Sequence, residues 1–241
     1  MNHLIIQPTN YKYIFLDLDD TVWDFRANAE VALHDVFYAE QLNDYFDSFE
    51  TFFHLYSKRN LELWVDYARG NITREYLSIQ RFLYPLQKVG IGDEKRALQM
   101  NNDFLAVLGE KTLLVPYASE LMDYCRSKHL PMTIVSNGFA EIQYRKLRNT
   151  DIEHYFAHIV LSDSADALKP NPAIFNYALD VNGASAEETL MIGDSFEADI
   201  LGATNVGIDA LFLNHSDKQY EIPERVLEIK SLKEAIELLE G

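Results

Sequence analysis

The run Tyr13-Ile-Phe-Leu stops abruptly at Asp17-Leu-Asp19-Asp20-Thr21, and that junction restricts the fold more than any other stretch. A short apolar run bounded this sharply reads as a buried strand rather than a helix. A strand that is apolar throughout suits a parallel sheet covered on both faces. In such sheets ligands bind just beyond the carboxyl ends of the strands, where Asp17 to Asp20 fall. Crowded carboxylates repel, so either a cation joins them or one group keeps its proton. Acidic turns are common, however, and a solvated turn with Thr21 as a cap explains this pattern alone equally well.

The same junction recurs. Pro131-Met-Thr-Ile-Val135 ends in Ser136-Asn137-Gly138. Lys169-Pro170 lies beyond Ile159-Val160-Leu161. Thr189-Leu-Met-Ile192 ends in Gly193-Asp194-Ser195, with Asp199 beyond, and Ala210–Leu213 is a last strand. Helical patterns over 118–128, 140–149, 173–181, 197–205 and 232–239 alternate with these runs. The alternation predicts an α/β fold with a doubly wound parallel-sheet, Rossmann-like core.

Residues 26–111 interrupt that pattern with helical signals only. Ala29, Val31, Ala32, Val36 and Phe37 recur at helical spacing, and Phe46–Tyr67 is aromatic-rich without Pro or Gly. Gly70-Asn71 breaks the run, and Thr73 caps a helix through Phe82. Pro85 and the turn at 90–93 are expected to end it before a further helix, Glu94–Leu108. The chain therefore reads as a catalytic core, 1–25 and 112–241, with an inserted all-helical cap domain, 26–111. The cap is expected to move about hinges near Asp24 and near 114–116.

Charge narrows the partners. Twenty-one basic against 38 acidic residues give a net charge of −17, which argues against a nucleic-acid polymer or an anionic membrane. An anionic substrate would then need a local cation or a few well-placed Lys and Arg. The lone cysteine, Cys125, falls on a helical pattern and reads as core; without an intrachain disulfide the chain fits a reducing, cytoplasmic setting. The first ten residues lack the long apolar run of a signal peptide, and no run approaches membrane-spanning length.

In a parallel sheet the four polar clusters all point one way and can converge. Together they hold the parts phosphoryl transfer needs: carboxylates for a hard cation, donors and a lysine for phosphate oxygens, and a nucleophile. With these four motifs in order over essentially its full length, the chain resembles the haloacid dehalogenase superfamily of hydrolases, the insert matching that superfamily's helical cap. The resemblance implies roles. Asp17 is the nucleophile that carries the phosphoryl group. Asp19 is general acid and then base, and its backbone carbonyl faces the metal. Ser136 and the Asn137 amide hold phosphate oxygens, and Lys169 steadies Asp17 and the phosphoryl charge. Asp194 is a Mg²⁺ ligand with Asp17 and Asp19; Mn²⁺ suits the same oxygens. Asp199 and Thr21 support the metal site from behind its ligands. The namesake dehalogenases need no acid two residues after the nucleophile, so Asp19 favours phosphate esters.

Asp19-Asp20-Thr21-Val22-Trp23-Asp24-Phe25 with Asn28, and Ser136-Asn137-Gly138-Phe139 with Glu141, Gln143 and Lys146-Leu147-Arg148, are similar to bacterial pyrimidine 5′-nucleotidases. The resemblance implies a small phosphorylated metabolite, a nucleoside 5′-monophosphate, as substrate. Trp23 and Phe139 are then candidates to stack on its base, or equally to seal the cap hinge. Alternatives are a phosphatase for sugar or two-carbon phosphates such as phosphoglycolate, a β-phosphoglucomutase-like transferase, and a non-catalytic binding protein on the same fold.

Overall fold

The computed structural model describes residues 11–241; the segment 1–10, in which no signal peptide was read, lies outside the described residues. The described residues divide into two compact units, one of residues 11–25 and 112–241, the other of 26–111.

The first unit is a six-stranded sheet in the order β3-β2-β1-β4-β5-β6, parallel throughout. Its strands are β1 (Tyr13–Leu16), β2 (Met132–Ser136), β3 (Phe156–Leu161), β4 (Thr189–Gly193), β5 (Asp209–Leu213) and β6 (Val226–Ile229). β1 lies at the centre, with Leu16 level with Ile134 on one side and Ile192 on the other. The chain passes to opposite sides of β1 to form β2 and β4, and the crevice at such a reversal is where open α/β sheets bind ligands. Phe15, Val135, Met191 and Phe212 pack with Ile174, Phe175 and Ile200 into one core, which makes β1, β2, β4 and β5 apolar nearly throughout.

Helices α5 (Ala118–Ser127), α6 (Ala140–Asn149), α8 (Pro172–Asn182) and α10 (Leu232–Glu240) connect or close the strands, with a single turn α7 (Ser162–Ala165) after β3. Asn171 caps α8 through the Ala173 amide, and Pro172 sits at its first position, where a missing N–H costs nothing. Cys125 is buried on α5. After β4 the expected helix starts as a π-helical segment, Phe196–Leu201, and tightens into the short turn α9 (Gly202–Thr204).

The second unit is helical: α1 (Phe25–Ala39, beginning at the unit boundary), α2 (Phe49–Ala68), α3 (Arg74–Lys88) and α4 (Glu94–Leu108). Ser48, Thr73 and Asp93 cap α2, α3 and α4 with side-chain oxygens. Phe37, Phe52, Tyr56, Phe82 and Phe104 form its aromatic centre, with neighbouring rings 5.0–6.5 Å apart in mostly tilted or edge-on contacts.

Two expectations fail. Pro85 does not end its helix: α3 continues to Lys88 because buried Leu83 and Leu86 hold the last turn, where proline forfeits only one backbone bond. Ala210–Leu213 is not the last strand either, since β6 follows it. The apolar run of β6 is broken by Glu228, yet its backbone completes the ladder on β5 as an edge strand.

Candidate active site

Asp17 follows the central strand, and its amide donates to Ile192 O of β4 at 3.0 Å. The chain then coils into a tight turn in which the amides of Val22 and Trp23 both bond Leu18 O. Asp20 sits in the left-handed region at φ 58°, a conformation Asp tolerates better than most residues. His215 Nε2 lies 2.6 Å from Asp20 O, so β5's trailing loop clamps this turn.

Lys169 is the centre of the site's charge. It is 2 % exposed, and its three ammonium protons go to Asp17 Oδ1 at 2.5 Å, Val135 O at 2.6 Å and Asp199 Oδ1 at 2.6 Å. Burial alone would lower its pKa, but the contacts with Asp17 and Asp199 outweigh that and raise it, so it stays charged. The Asn137 side chain fixes the lysine's backbone twice, donating to Lys169 O at 2.9 Å and accepting from Lys169 N at 2.7 Å. Asp199 is braced too, its Oδ2 accepting from Ser195 N at 3.0 Å. The π-helical segment carries Asp199 against Gly193, where a Cβ would collide with the carboxylate; glycine at the end of β4 is what lets it approach.

Asp17, Asp194 and Asp199 each bring a carboxylate oxygen within 4.8 Å of the others. Burial first, and the charges of Asp199 and Asp19 with it, raise Asp17 against the opposing pull of Lys169. Burial and the charges of Asp17, Asp199 and Asp20 push Asp194 well above the ordinary carboxylate range. Hard anionic oxygens in this number and proximity fit Mg²⁺ or Mn²⁺. Asp194 is the member best placed to ligate, since it enters no hydrogen bond or ion pair among the described residues, whereas Asp199 already spends both oxygens.

Ser136 is buried at the end of β2, and its Oγ accepts from Gly138 N at 3.1 Å and from Gln143 Nε2 at 2.8 Å. Both lone pairs are used, so the hydroxyl proton remains to be donated. Asp19 stands outside the carboxylate trio: Lys146 Nζ donates to its Oδ1 at 2.6 Å and Gln143 Nε2 to its Oδ2 at 2.8 Å. The Thr21 hydroxyl is buried without a hydrogen-bond partner among the described residues. Trp23 and Phe139 are both buried, and Lys146 Nζ lies 4.5 Å from the Trp23 ring centroid.

The site therefore gathers Asp17, Asp19, Ser136, Asn137, Lys169, Asp194 and Asp199. Sequence reasoning gave Gln143 and Lys146 no role in it. Both stand among the residues that resemble the pyrimidine 5′-nucleotidases, and their i,i+3 spacing puts them on one face of the helix after Ser136-Asn137-Gly138, but neither signal names a task.

Residues 11–207 match the haloacid dehalogenase-like hydrolase family. The pyrimidine 5′-nucleotidase YjjG of Escherichia coli is 32% identical over 231 residues, 95% of this chain and 98% of that one. The glyceraldehyde 3-phosphate phosphatase of Methanothermobacter thermautotrophicus is 31% identical over 210 residues, 84% of this chain and 85% of that protein. The magnesium-bound crystal structure of the HAD hydrolase YfnB of Bacillus subtilis, in which interdomain movement was described, superposes with a TM-score of 0.84 at 29% identity, covering 96% of this chain and 100% of that one. On this match of sequence and architecture, the chain belongs to the haloacid dehalogenase-like hydrolase family.

Proposed function

We propose that this enzyme, a phosphatase of its family, transfers the phosphoryl group of a pyrimidine nucleoside 5′-monophosphate to Asp17 and then to water. The observation that carries the phosphatase reading is Asp19: a second carboxylate, two residues from the nucleophile, held beside Ser136 by a shared Gln143 nitrogen. Chemistry that needs no proton delivered to a leaving group has no use for it.

Asp17 Oδ1 is taken by Lys169, which leaves Oδ2 to attack phosphorus. The bond to the ester oxygen breaks as the new one forms, and Asp19 gives that oxygen a proton, an effect worth about 10²–10⁴-fold. Asp19 then takes a proton from the water that attacks the phosphoryl group and frees Asp17. The Ser136 hydroxyl and the Asn137 amide donate to the non-bridging oxygens, and Lys169 offsets the charge that builds on them. Asp17, Asp194 and the Asp19 carbonyl would hold Mg²⁺, with Asp199 and Thr21 behind them. The cation, when bound, neutralises phosphoryl charge in a strongly acidic chain. Residues 26–111 are the counterpart we assign to the superfamily's helical cap, whose task is to keep bulk water from the phosphorylated enzyme. The lone, buried Cys125 suits a reducing cytoplasm.

The nucleotide assignment rests on the resemblance to YjjG across nearly the whole of both chains. The alternative, a small sugar or triose phosphate, draws on the methanogen phosphatase, similar over a shorter span. Phosphate release with Mg²⁺ across nucleoside monophosphates, triose phosphates and phosphoglycolate, with Asp17→Asn as control, decides between them. Turnover of dUMP or dTMP well above the others is expected. Equal or faster release from the sugar and two-carbon phosphates removes the nucleotide assignment and keeps the mechanism.

A further inference from the structure

Lys146 is a lysine in an unlikely place for one without a task. Its side chain is 3 % exposed while that of its partner, Asp19, is 30 % exposed. Taking an ammonium out of water is costly, and a hydrophobe of similar volume would pack α6 at less expense. The buried ammonium instead lies against the Trp23 ring at 4.5 Å and the Phe25 ring at 5.5 Å, with Asp19 Oδ1 as its hydrogen-bonded anion. The Trp23 face, a candidate for base stacking, is thus occupied by the protein itself.

Gln143 completes the arrangement from the same helix face. Its Nε2 donates one proton to Asp19 Oδ2 and the other to Ser136 Oγ, which puts the two oxygens within two hydrogen-bond lengths of each other. A Cβ on Gly138 would collide with the Gln143 amide, so glycine at that position lets the glutamine cross the site. A carboxylate held by one donor can swing about its own bonds. One whose two oxygens are held by two donors from a single rigid helix cannot turn without breaking both.

We infer that Lys146 and Gln143 are positioning residues that fix the orientation of the Asp19 carboxylate beside the phosphate-holding Ser136, with Trp23 and Phe25 walling in the lysine. The inference rests on the phosphatase reading, in which Asp19 delivers a proton to the leaving oxygen. The residues act through Asp19, so their loss matters only where Asp19 matters.

That dependence sets the test. Lys146→Met and Gln143→Leu are made in the wild type and in Asp19→Asn, and kcat/KM is measured for p-nitrophenyl phosphate and for dUMP, or glyceraldehyde 3-phosphate if dUMP is not turned over. A nitrophenolate leaves without a proton, whereas an alkoxide needs one. Each single variant is expected to lose about 10–100-fold more on the alkyl phosphate than on the aryl one, part of what a general acid supplies. In the Asp19→Asn background the same substitutions should add little, as for groups acting as one unit. Equal losses on the two substrates, or full additivity with Asp19→Asn, overturn the inference and leave Lys146 and Gln143 as packing. Thermal melting verifies the fold; should Lys146→Met unfold, the neutral Gln143→Leu carries the same comparison. A folded wild type that splits none of these esters overturns the phosphatase reading, and the inference with it.

Discussion

Both units bury a cation, and they treat it in opposite ways. In the sheet unit Lys169 lies between two carboxylates and a carbonyl, at the point where three parallel strands end. In the helical unit Arg81 is equally buried, yet its partners among the described residues are neutral: it donates to the Asn101 side chain, has the Tyr56 phenol beside it and lies 5.3 Å from the Phe104 ring centroid. Burial lowers the pKa of Arg81, while contact with two anions raises that of Lys169. The sheet unit concentrates opposite charges that a reaction can use. The helical unit dilutes one charge among amides and rings, which makes a scaffold. A core that tolerates Asp17, Asp194 and Asp199 within 4.8 Å of one another is built for a ligand, because as a structural element it is repulsive.

The sharpest way to break this contrast is at the sheet unit's centre. Asp17→Asn removes the nucleophile and is expected to cut turnover at least about a thousandfold while the protein stays folded. Steady-state phosphate release with a melting curve checks both halves, and retention of more than a tenth of the activity would exclude Asp17 as nucleophile. Lys169→Met should cost about 10²–10³-fold in kcat/KM, the usual loss of one electrostatic stabiliser. It should also destabilise the fold, since Asp17 and Asp199 lose the cation between them. An Arg81 variant has no counterpart to that catalytic loss.

How much of this was legible differs between the units for the same reason. Strand ends announce themselves together: an apolar run that stops at Asp17 reads equally well as a solvated turn, but its recurrence at Ser136 and Gly193 in order leaves few other readings. The convergence of those residues follows from the parallel topology, whereas the order of the strands comes from the structure alone. β6 escaped because an edge strand is buried on one side only, and Glu228 breaks its pattern. The extension of α3 past Pro85 escaped because burial of Leu83 and Leu86 decided it, and burial is not visible in a propensity. Lys146 escaped because a helical lysine is solvated by default; only the fold brings the Trp23 ring and Asp19 to it. The π-helical segment that lifts Asp199 towards Lys169 left no mark in the sequence beyond Asp199 itself.

A gentler probe uses protons in place of mutations. Burial and neighbouring carboxylates raise Asp17 from 3.8 to about 7 in the metal-free protein. Between those values the folded chain holds a proton that the unfolded chain has released, so metal-free stability falls as pH rises through that window. Asp194 is raised in the same direction and deepens the effect. A divalent cation competes with these protons and gains on them as pH rises. Mg²⁺ should therefore shift the melting temperature little at pH 5 and most above pH 7. At a hundredfold excess over its dissociation constant the stabilisation is about 2.7 kcal/mol, a shift of roughly 5 °C or more. A shift independent of pH would mean that the cation binds elsewhere than at Asp17 and Asp194.

The smallest expected effect tests the helical side of the comparison. If Arg81 is scaffold, its charge is dispensable and only its hydrogen bonds matter. Arg81→Met removes the buried charge and keeps the bulk against Phe104, but it leaves the Asn101 carbonyl without a donor in a buried place. An orphaned buried acceptor costs about 1–3 kcal/mol, so the single variant should be destabilised by that much in urea. Replacing both partners by apolar groups of similar shape removes the orphan, and Arg81→Met with Asn101→Leu should recover most of the loss. The single changes are then non-additive, as expected for two groups in direct contact. Were the double variant instead to recover none of the loss, the orphaned carbonyl would not account for it, the guanidinium itself would be what the unit needs, and the contrast with Lys169 would be one of degree.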